Sequence, residues 1–176
     1  MDRTLLAGAG LAILSACAAS RPPLRTVDHL ALERFMGDWY VIAHVPASIE
    51  RNAYNAVESY RLDRDGAIAT TFTFREGAFD GPEKRYTPRG FVRDRTTNAA
   101  WGMQFVWPIR SEFLVIHLDE ARGTTIVART KRDYAWIMAR RPEIPAEEYE
   151  ALVRKLGDAG YDLAKLRHVP QRWPAR

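Results

Sequence analysis

Side chains that could carry out catalysis are few in this sequence, and they form no known catalytic arrangement. The histidines are His29, His44, His117 and His168. No pair of them has the close spacing of metal ligands, and no Gly-x-Ser-x-Gly segment presents a nucleophilic serine on a strained turn. The serines at positions 48, 59 and 111 have no histidine and aspartate placed as triad partners nearby. We therefore expect no enzyme, no metal site and no cofactor.

The only cysteine has another chemistry, set by the residues before it. Leu5 to Leu14 is an uncharged run, too short to cross about 30 Å of hydrocarbon but typical of a signal-peptide core. It ends in Leu14-Ser15-Ala16-Cys17, which resembles the lipobox of bacterial lipoproteins. In that pattern small residues precede the cleaved bond, and the thiol takes a diacylglyceryl group. The resemblance implies that residues 1–16 are a signal peptide and that Cys17 is lipidated.

The same segment predicts a location. Each buried methylene contributes about 0.8 kcal/mol, so the acyl chains on Cys17 would anchor the protein to a membrane. Ala18 follows, and not the aspartate that resembles an inner-membrane retention signal, so we expect the outer membrane with the domain facing the periplasm. Residues 17–28 contain small, basic and proline residues and are interpreted as a lipidated tether. Residues 29–176 are then the folded domain.

Length and charge set the remaining limits. The 176 residues suit one domain with a substantial core. The formal net charge is +4, and the arginines are spread along the chain, which argues against nucleic acid as a partner.

Eight short runs in the domain have strand character. Ala100 to Trp107 is the clearest, because Trp101, Met103, Phe105 and Trp107 alternate with smaller or polar residues, a period of two that a helix does not produce. An Asp65-Gly66 pair between two runs is a strong hairpin signal. The eight predicted strands are 39–42, 54–62, 67–75, 84–93, 100–107, 111–118, 124–129 and 134–140.

One helix follows the strands. Pro145 begins it, and Tyr149, Leu152, Val153 and Leu156 form one apolar stripe at helical spacing. Strands joined by short turns, then one helix, predict an all-β protein. The predicted fold is an eight-stranded up-and-down antiparallel barrel with a C-terminal α-helix packed on its outside, and a sandwich is the alternative. Eight strands leave room for one small ligand.

Three ordered motifs resemble those of the lipocalin family. Gly37-Asp38-Trp39 resembles its Gly-x-Trp motif, Lys131-Arg132-Asp133-Tyr134 its Thr-Asp-Tyr loop with arginine replacing threonine, and Trp136 to Arg140 its last strand. Together with the lipobox they resemble the bacterial lipocalins of the outer membrane. The resemblance implies structural roles for five residues: Arg140 stacks on Trp39, beside Gly37, at the barrel end, and Asp133 and Tyr134 are structural in an adjacent loop.

The cavity prediction follows from the strand faces. An aromatic and thioether wall selects for shape and apolar chains. The predicted lining residues are Trp101, Met103, Phe105, Trp107, Phe72, Phe74, Tyr54, Tyr60 and Tyr86. An anionic head group would need a cation near the mouth, and the candidates are Arg51, Arg75 and Arg110.

The predicted function is therefore an outer-membrane-anchored lipocalin that binds and carries hydrophobic ligands for envelope maintenance. The family resemblance implies a fatty acid or lysophospholipid as the ligand, and the interpretation allows a homodimer. One alternative is a haem or pigment binder on the same barrel, with His44 or His117 as the iron ligand. Another is an envelope protein that stores no ligand and acts by protein contact.

Overall fold

The computed structural model describes residues 22–174. The signal peptide and Cys17 predicted from the sequence lie outside this range. Within it the elements are α1 (Leu32–Phe35), β1 (Gly37–Val45), a 3-10 turn (Ser48–Glu50), β2 (Ala53–Leu62), β3 (Ile68–Glu76), β4 (Glu83–Tyr86), β5 (Arg89–Val92), β6 (Ala100–Val106), β7 (Ile109–Asp119), β8 (Thr124–Ala128), β9 (Ala135–Ala139), α2 (Ala146–Asp158), a second 3-10 turn (Leu163–Lys165) and β10 (Arg167–His168).

The strands close into a barrel. In the order β1-β2-β3-β5-β6-β7-β8-β9 each strand pairs antiparallel with the next, and β9 returns to pair with β1. Both β4 and β5 pair with β3, and Pro88 lies between them, so they form one barrel strand interrupted by proline. The predicted eight-stranded antiparallel barrel with an outer C-terminal helix is therefore confirmed.

The C-terminal segment closes a seam that sequence patterning did not predict. β1 pairs with β2 only from Gly37 to Tyr40, and beyond that point β10 lies against β1. The Gln171 side-chain amide donates to the carbonyl oxygens of Val41 and Ala56, at 2.8 and 3.2 Å, and so links the two separated strands. Residues after the helix thus complete the hydrogen bonding of the wall.

Two apolar clusters lie on opposite faces of the same strands. Val41, Val127 and Trp136 belong to the interior cluster, whereas their neighbours Ile42, Ile126 and Ile137 pack outside. The outer cluster includes Leu152 and Leu156 of α2. Because α2 covers them, β8 and β9 are buried along their whole length on both faces.

The closed end of the barrel is tightly hydrogen-bonded. The Arg140 guanidinium lies 3.8 Å from the centre of the Trp39 ring and donates to the carbonyl oxygens of Asp38, Arg34 and Phe35. The Trp39 indole N–H donates to the Phe35 carbonyl oxygen at 2.8 Å. The indole N–H and the guanidinium therefore both have hydrogen-bond acceptors, and the aromatic face of Trp39 has a cation stacked on it.

Gly37 starts β1 with φ of +90°, in the region that favours glycine. A Cβ there would lie 3.5 Å from the Arg140 guanidinium, which is an ordinary contact, so the backbone angle and not space selects glycine.

Candidate functional site

A largely apolar cavity of about 230 Å³ opens at the other end of the barrel. This volume lies slightly below the range of roughly 300–1,000 Å³ usual for small-molecule sites. The cavity therefore suits one slender apolar group. Its lining residues are Ala47, Ile49, Glu50, Glu58, Phe72, Met103, Phe105, Ser111, Glu112, Phe113, Arg129, Tyr134 and Trp136.

Three connections form the mouth of the cavity. They are the β1–β2 connection with its 3-10 turn, the β6–β7 hairpin and the β8–β9 loop. The register places them at one end, since Val45 pairs with Ala135 and Leu114 pairs with Ala128. The Glu112 carboxylate accepts hydrogen bonds from the Thr130 hydroxyl and backbone N–H, which joins β7 to the β8–β9 loop.

The mouth carries an exposed apolar rim. We call Ile49, Phe105, Val106, Trp107 and Ile109 the apolar rim, because each is a large hydrophobic residue exposed at this end. Trp107 is 82% exposed and lies at the tip of the β6–β7 hairpin. Large apolar side chains clustered on a surface are typical of a contact site for a membrane or a partner.

The structure places three of the nine predicted lining residues at the cavity: Phe72, Met103 and Phe105. Phe74 and Tyr86 pack in the interior cluster, next to but not in the lining, and stack with ring centroids 6.3 Å apart. Tyr60 is buried deeper, and Tyr54 packs edge-on against Phe79.

The prediction for Trp101 and Trp107 needs correction. The strand-face argument put them on one cavity wall with Met103, but Trp101 packs in the core, stacked on Phe113 with ring centroids 4.7 Å apart. Trp107 is outside the cavity: β6 ends at Val106, and the β6–β7 register shifts already after Met103. Phe105 still reaches the cavity, so it is the end of the strand and the hairpin turn after it that take Trp107 off the face that alternation assigns.

The three predicted head-group arginines do not line the cavity. Arg75 pairs with Glu83 at 3.5 Å, and the Arg110 guanidinium lies 3.8 Å from the centre of the Phe91 ring. Arg51 is exposed and directly follows the lining residues Ile49 and Glu50, so it is the candidate that stands nearest the mouth in the chain.

Two glutamates give the cavity its polar character. Glu50 and Glu58 are each 1% exposed. Burial raises the pKa of Glu50 to about 7, although the Ala47 N–H, at 3.1 Å, favours its charged form. Burial also raises the pKa of Glu58 well above its usual value, and the nearby Glu50 adds to this shift. Both shifts favour the protonated acids, and the pKa of Glu50 leaves it poised between its two forms near neutral pH.

Several other polar groups surround these carboxyls. The Tyr134 hydroxyl and the Trp136 indole face Glu50 and favour its charged form, yet the Trp136 N–H lacks a hydrogen bond of good geometry. The Tyr60 hydroxyl and Oε2 of Glu58 are also buried without a hydrogen-bond partner in the described part of the chain. Such groups are unusual in folded proteins and indicate a site where a ligand or solvent completes the bonding.

The loop that resembles the Thr-Asp-Tyr motif divides its residues between structure and cavity. Asp133 pairs with Arg129 at 3.6 Å, and Tyr134 lines the cavity. Arg132, which replaces the threonine, has φ of +54° and donates to the carbonyl oxygens of Thr130, Ala159 and Pro22. One guanidinium therefore ties the β8–β9 loop to α2 and to the N-terminal segment.

The histidines proposed as alternative haem ligands lie elsewhere. His44 is buried beside Glu50, with 3.7 Å between Nδ1 and Oε1, and burial with the Arg167 charge lowers its pKa to about 4. It is thus neutral near pH 7, and this contact is no ion pair there. His117 borders an outer groove next to Lys155. Among residues 22–174 no group of three or more His, Cys, Asp or Glu side chains could hold a metal.

Sequence reasoning missed the two glutamates and Phe113, Arg129 and Trp136. A signal was present for Glu58, which lies two residues before Tyr60 and so shares its face in a strand. Hydrophobicity alone does not nominate a charged residue for an interior position.

Comparison with known proteins assigns the family. Residues 30–171 match the family model of the lipocalin-like domain. The chain is 28% identical to the outer membrane lipoprotein Blc of Escherichia coli strain K12, over 95% of this chain and 96% of that protein. It is 27% identical to temperature-induced lipocalin-1 of Arabidopsis thaliana, over 84% and 83%.

Solved structures show the same fold. Insecticyanin from the tobacco hornworm Manduca sexta matches with a TM-score of 0.66 at 16% identity, over 84% of each chain. Apocrustacyanin C2 matches with a TM-score of 0.64 at 10% identity, over 81% of this chain and 80% of that one. With the family match over most of its length, the barrel and its motifs, the chain belongs to the lipocalin family and is a bacterial lipocalin.

Proposed function

We propose that this protein is a lipid-anchored lipocalin of the outer membrane that binds a single-chain hydrophobic ligand, such as a fatty acid or lysophospholipid, and carries it for storage or transport. The observation that carries the proposal is the cavity, whose walls are mainly Phe72, Met103, Phe113 and Trp136. Its volume of about 230 Å³ suits part of one acyl chain. The rest of the ligand would lie against the apolar rim.

The arrangement of the open end supports the membrane part of the proposal. Arg132 of the β8–β9 loop holds the carbonyl of Pro22, so the described chain begins at the end where the cavity opens. An acylated Cys17 and the apolar rim would then face the same lipid surface. In residues 22–174 no helix has the length and apolarity needed to cross a membrane. The relatives named as outer membrane lipoproteins support the same location.

A chain with Cys17→Ser, which cannot be acylated, allows the ligand to be tested without detergent. We expect lipid extraction and native mass spectrometry to find a co-purifying acyl lipid, and expect that lipid to compete with a fluorescent fatty acid. Native mass spectrometry also reports whether the protein is a homodimer. No co-purifying lipid together with no displacement of the fluorescent fatty acid would instead support a ligand-free envelope protein, and a Soret band would support a haem binder.

Neighbouring positions on β7 provide a matched control. Ser111→Trp places a large side chain in the cavity lining and should weaken fatty-acid binding. Arg110→Trp introduces the same side chain one residue earlier, outside the cavity, and should leave fatty-acid binding nearly unchanged. Equal loss of binding in both variants would contradict the cavity as the site.

A further inference from the structure

One acid of the carboxyl pair in the cavity wall, Glu58, lacks the partners that buried acids normally have, whereas Glu50 accepts a hydrogen bond from the Ala47 N–H. Glu58 pairs through its backbone with Trp39 and Phe72, so its side chain is held on the inner face at mid-barrel. Its Oε2 has no hydrogen-bond partner in the described residues, and its burial is nearly complete. Glu50 faces the same cavity from the 3-10 turn. An acid in this position is costly unless something completes its bonding.

Arg129 is the cation in the cavity lining, and its buried Nε has no hydrogen-bond partner in the described residues. Arg129 makes its ion pair with Asp133, at 3.6 Å. His44, on the other side of Glu50, is neutral near pH 7 because burial lowers its pKa to about 4. The hydroxyls of Tyr60 and Tyr134 and the Trp136 indole also lie near the two acids, and burial keeps both phenols protonated by raising their pKa values. Ser111 and Glu112 complete the polar lining of the cavity.

A protonated amine would complete this set of groups. Its three N–H bonds can donate to Glu50, to Glu58 and to one tyrosine oxygen, and its charge balances one ionised carboxylate. The aromatic faces of Phe72, Tyr134 and Trp136 around the cavity favour a cation. A carboxylate at the same place would add a second negative charge to a buried site, which is unfavourable.

We propose that the inner wall of the cavity is a subsite for a protonated amine on an apolar chain, held between Glu50 and Glu58. This inference rests on the proposed function, because the chain of such a ligand occupies the same apolar cavity. A ligand with an amine end enters amine first, whereas a fatty acid enters chain first and keeps its carboxylate at the mouth.

The two orientations respond oppositely to pH. Glu50, with a pKa of about 7, is roughly one-tenth ionised at pH 6 and nine-tenths ionised at pH 8. An alkylamine remains protonated over this range, so its affinity should rise by about tenfold from pH 6 to pH 8. Tyr60, Tyr134 and His44 do not change their charge there. Burial raises the pKa of Glu58 well above its usual value. The other charged side chains of the lining are Glu112, which accepts from Thr130, and Arg129, which pairs with Asp133. Dodecanoate binding should stay level or weaken as Glu50 becomes negative.

The test compares three probes with one chain length: dodecylamine, dodecanol and dodecanoate. Each competes with the fluorescent fatty acid on the Cys17→Ser chain at pH 6, 7 and 8. We expect dodecylamine to bind at least about tenfold more tightly than dodecanol at pH 8, the usual range for hydrogen bonds to a charged group. Equal affinities with no opposite pH trends would overturn the amine subsite and leave the proposed function intact. Failure of all three probes to bind would overturn both.

Variants separate the subsite from a general effect of charge. Glu50→Gln should abolish the preference for dodecylamine and its pH dependence, and Glu58→Gln should reduce the preference, each measured as the ratio of dodecylamine to dodecanol affinity in the same variant. Glu150→Gln, an exposed position on α2, changes the net charge equally and should retain the preference. Thermal melting confirms that each variant is folded. A dodecylamine preference that survives both cavity substitutions would contradict the assignment.

Discussion

The two ends of this barrel handle buried polar groups in opposite ways. At the closed end the Arg140 guanidinium and the Trp39 indole each donate to backbone carbonyl oxygens, so their hydrogen bonds stay within the protein. At the cavity, Glu58, Arg129 and Trp136 each keep a buried polar atom without a hydrogen-bond partner in residues 22–174. The difference indicates that the closed end supplies stability and that the cavity gives up some stability for binding.

The largest expected effect compares the same substitution at both ends. Trp39→Ala removes a fully packed indole and should lower the free energy of unfolding by about 3–5 kcal/mol, measured by urea denaturation. Trp107→Ala removes an exposed indole at the open end and should change it by no more than about 0.5 kcal/mol. Similar losses at both positions would end the contrast between the two ends.

A second prediction concerns the cavity acid whose pKa is raised. The folded protein binds a proton at Glu50 more tightly than the unfolded chain does, so this contribution to stability is complete at low pH and is lost as pH rises from about 4.5 to about 7. Glu50→Gln removes the loss. The stability of the variant relative to the parent protein should therefore rise by roughly 3 kcal/mol over this interval.

His44 provides the control with the opposite sign. Its lowered pKa means that its contribution is complete above pH 6.5 and is lost as pH falls towards 4. The stability of His44→Gln relative to the parent protein should therefore rise as pH falls, and not as pH rises. Denaturation curves of both variants and the parent protein between pH 4 and 8 check this. If the unfolding free energies of both variants run parallel to that of the parent protein over this range, burial does not shift the pKa values of Glu50 and His44.

A third prediction addresses the geometry of the closed end. Arg140→Lys keeps the positive charge but loses the planar group that stacks on Trp39 and reaches three carbonyl oxygens. We expect a loss of about 1–3 kcal/mol in unfolding free energy with fatty-acid affinity unchanged. A variant as stable as the parent protein would show that charge alone is sufficient.

The smallest effect concerns the seam between β1 and β2. Gln171→Ala removes two hydrogen bonds to Val41 and Ala56 and should cost about 1–2 kcal/mol. Amide hydrogen exchange should quicken at the nearby Asn55 N–H, which donates to the Pro170 carbonyl, while the closed end stays protected. Faster exchange throughout the barrel would mean that the seam and the closed end open as one unit.

The fold could be predicted because its signals are local. Alternation in β6, the Asp65-Gly66 turn and the stripe on α2 each reflect the chain's own period or turn chemistry. The seam formed by residues 167–172 was missed, since two-residue pairing leaves no periodic pattern. The contact of Arg140 with Trp39 was predicted from the order of the family motifs, because no local pattern links residues so far apart in the sequence.

The site was harder to predict for a physical reason. Alternation assigns a residue to a face but not to a depth along the barrel, so it did not separate Trp101 in the core from Met103 at the cavity. It also fails where the strand ends, as it does before Trp107. Glu58 needs tertiary information, because whether a buried carboxyl has a partner depends on strands distant in sequence.

The hydrogen bond from Arg132 to the Pro22 carbonyl oxygen limits how far the barrel could lie from a membrane that holds an acylated Cys17. Five peptide units separate Cys17 from Pro22, and each spans at most about 3.6 Å. An acylated Cys17 could therefore be no more than about 18 Å from Pro22. If the acyl anchor forms as proposed, the barrel cannot travel far above the bilayer. With that anchor, a ligand that leaves the cavity would meet lipid head groups before it meets open periplasm. The ligand would then have only a short path between the cavity and the bilayer interior.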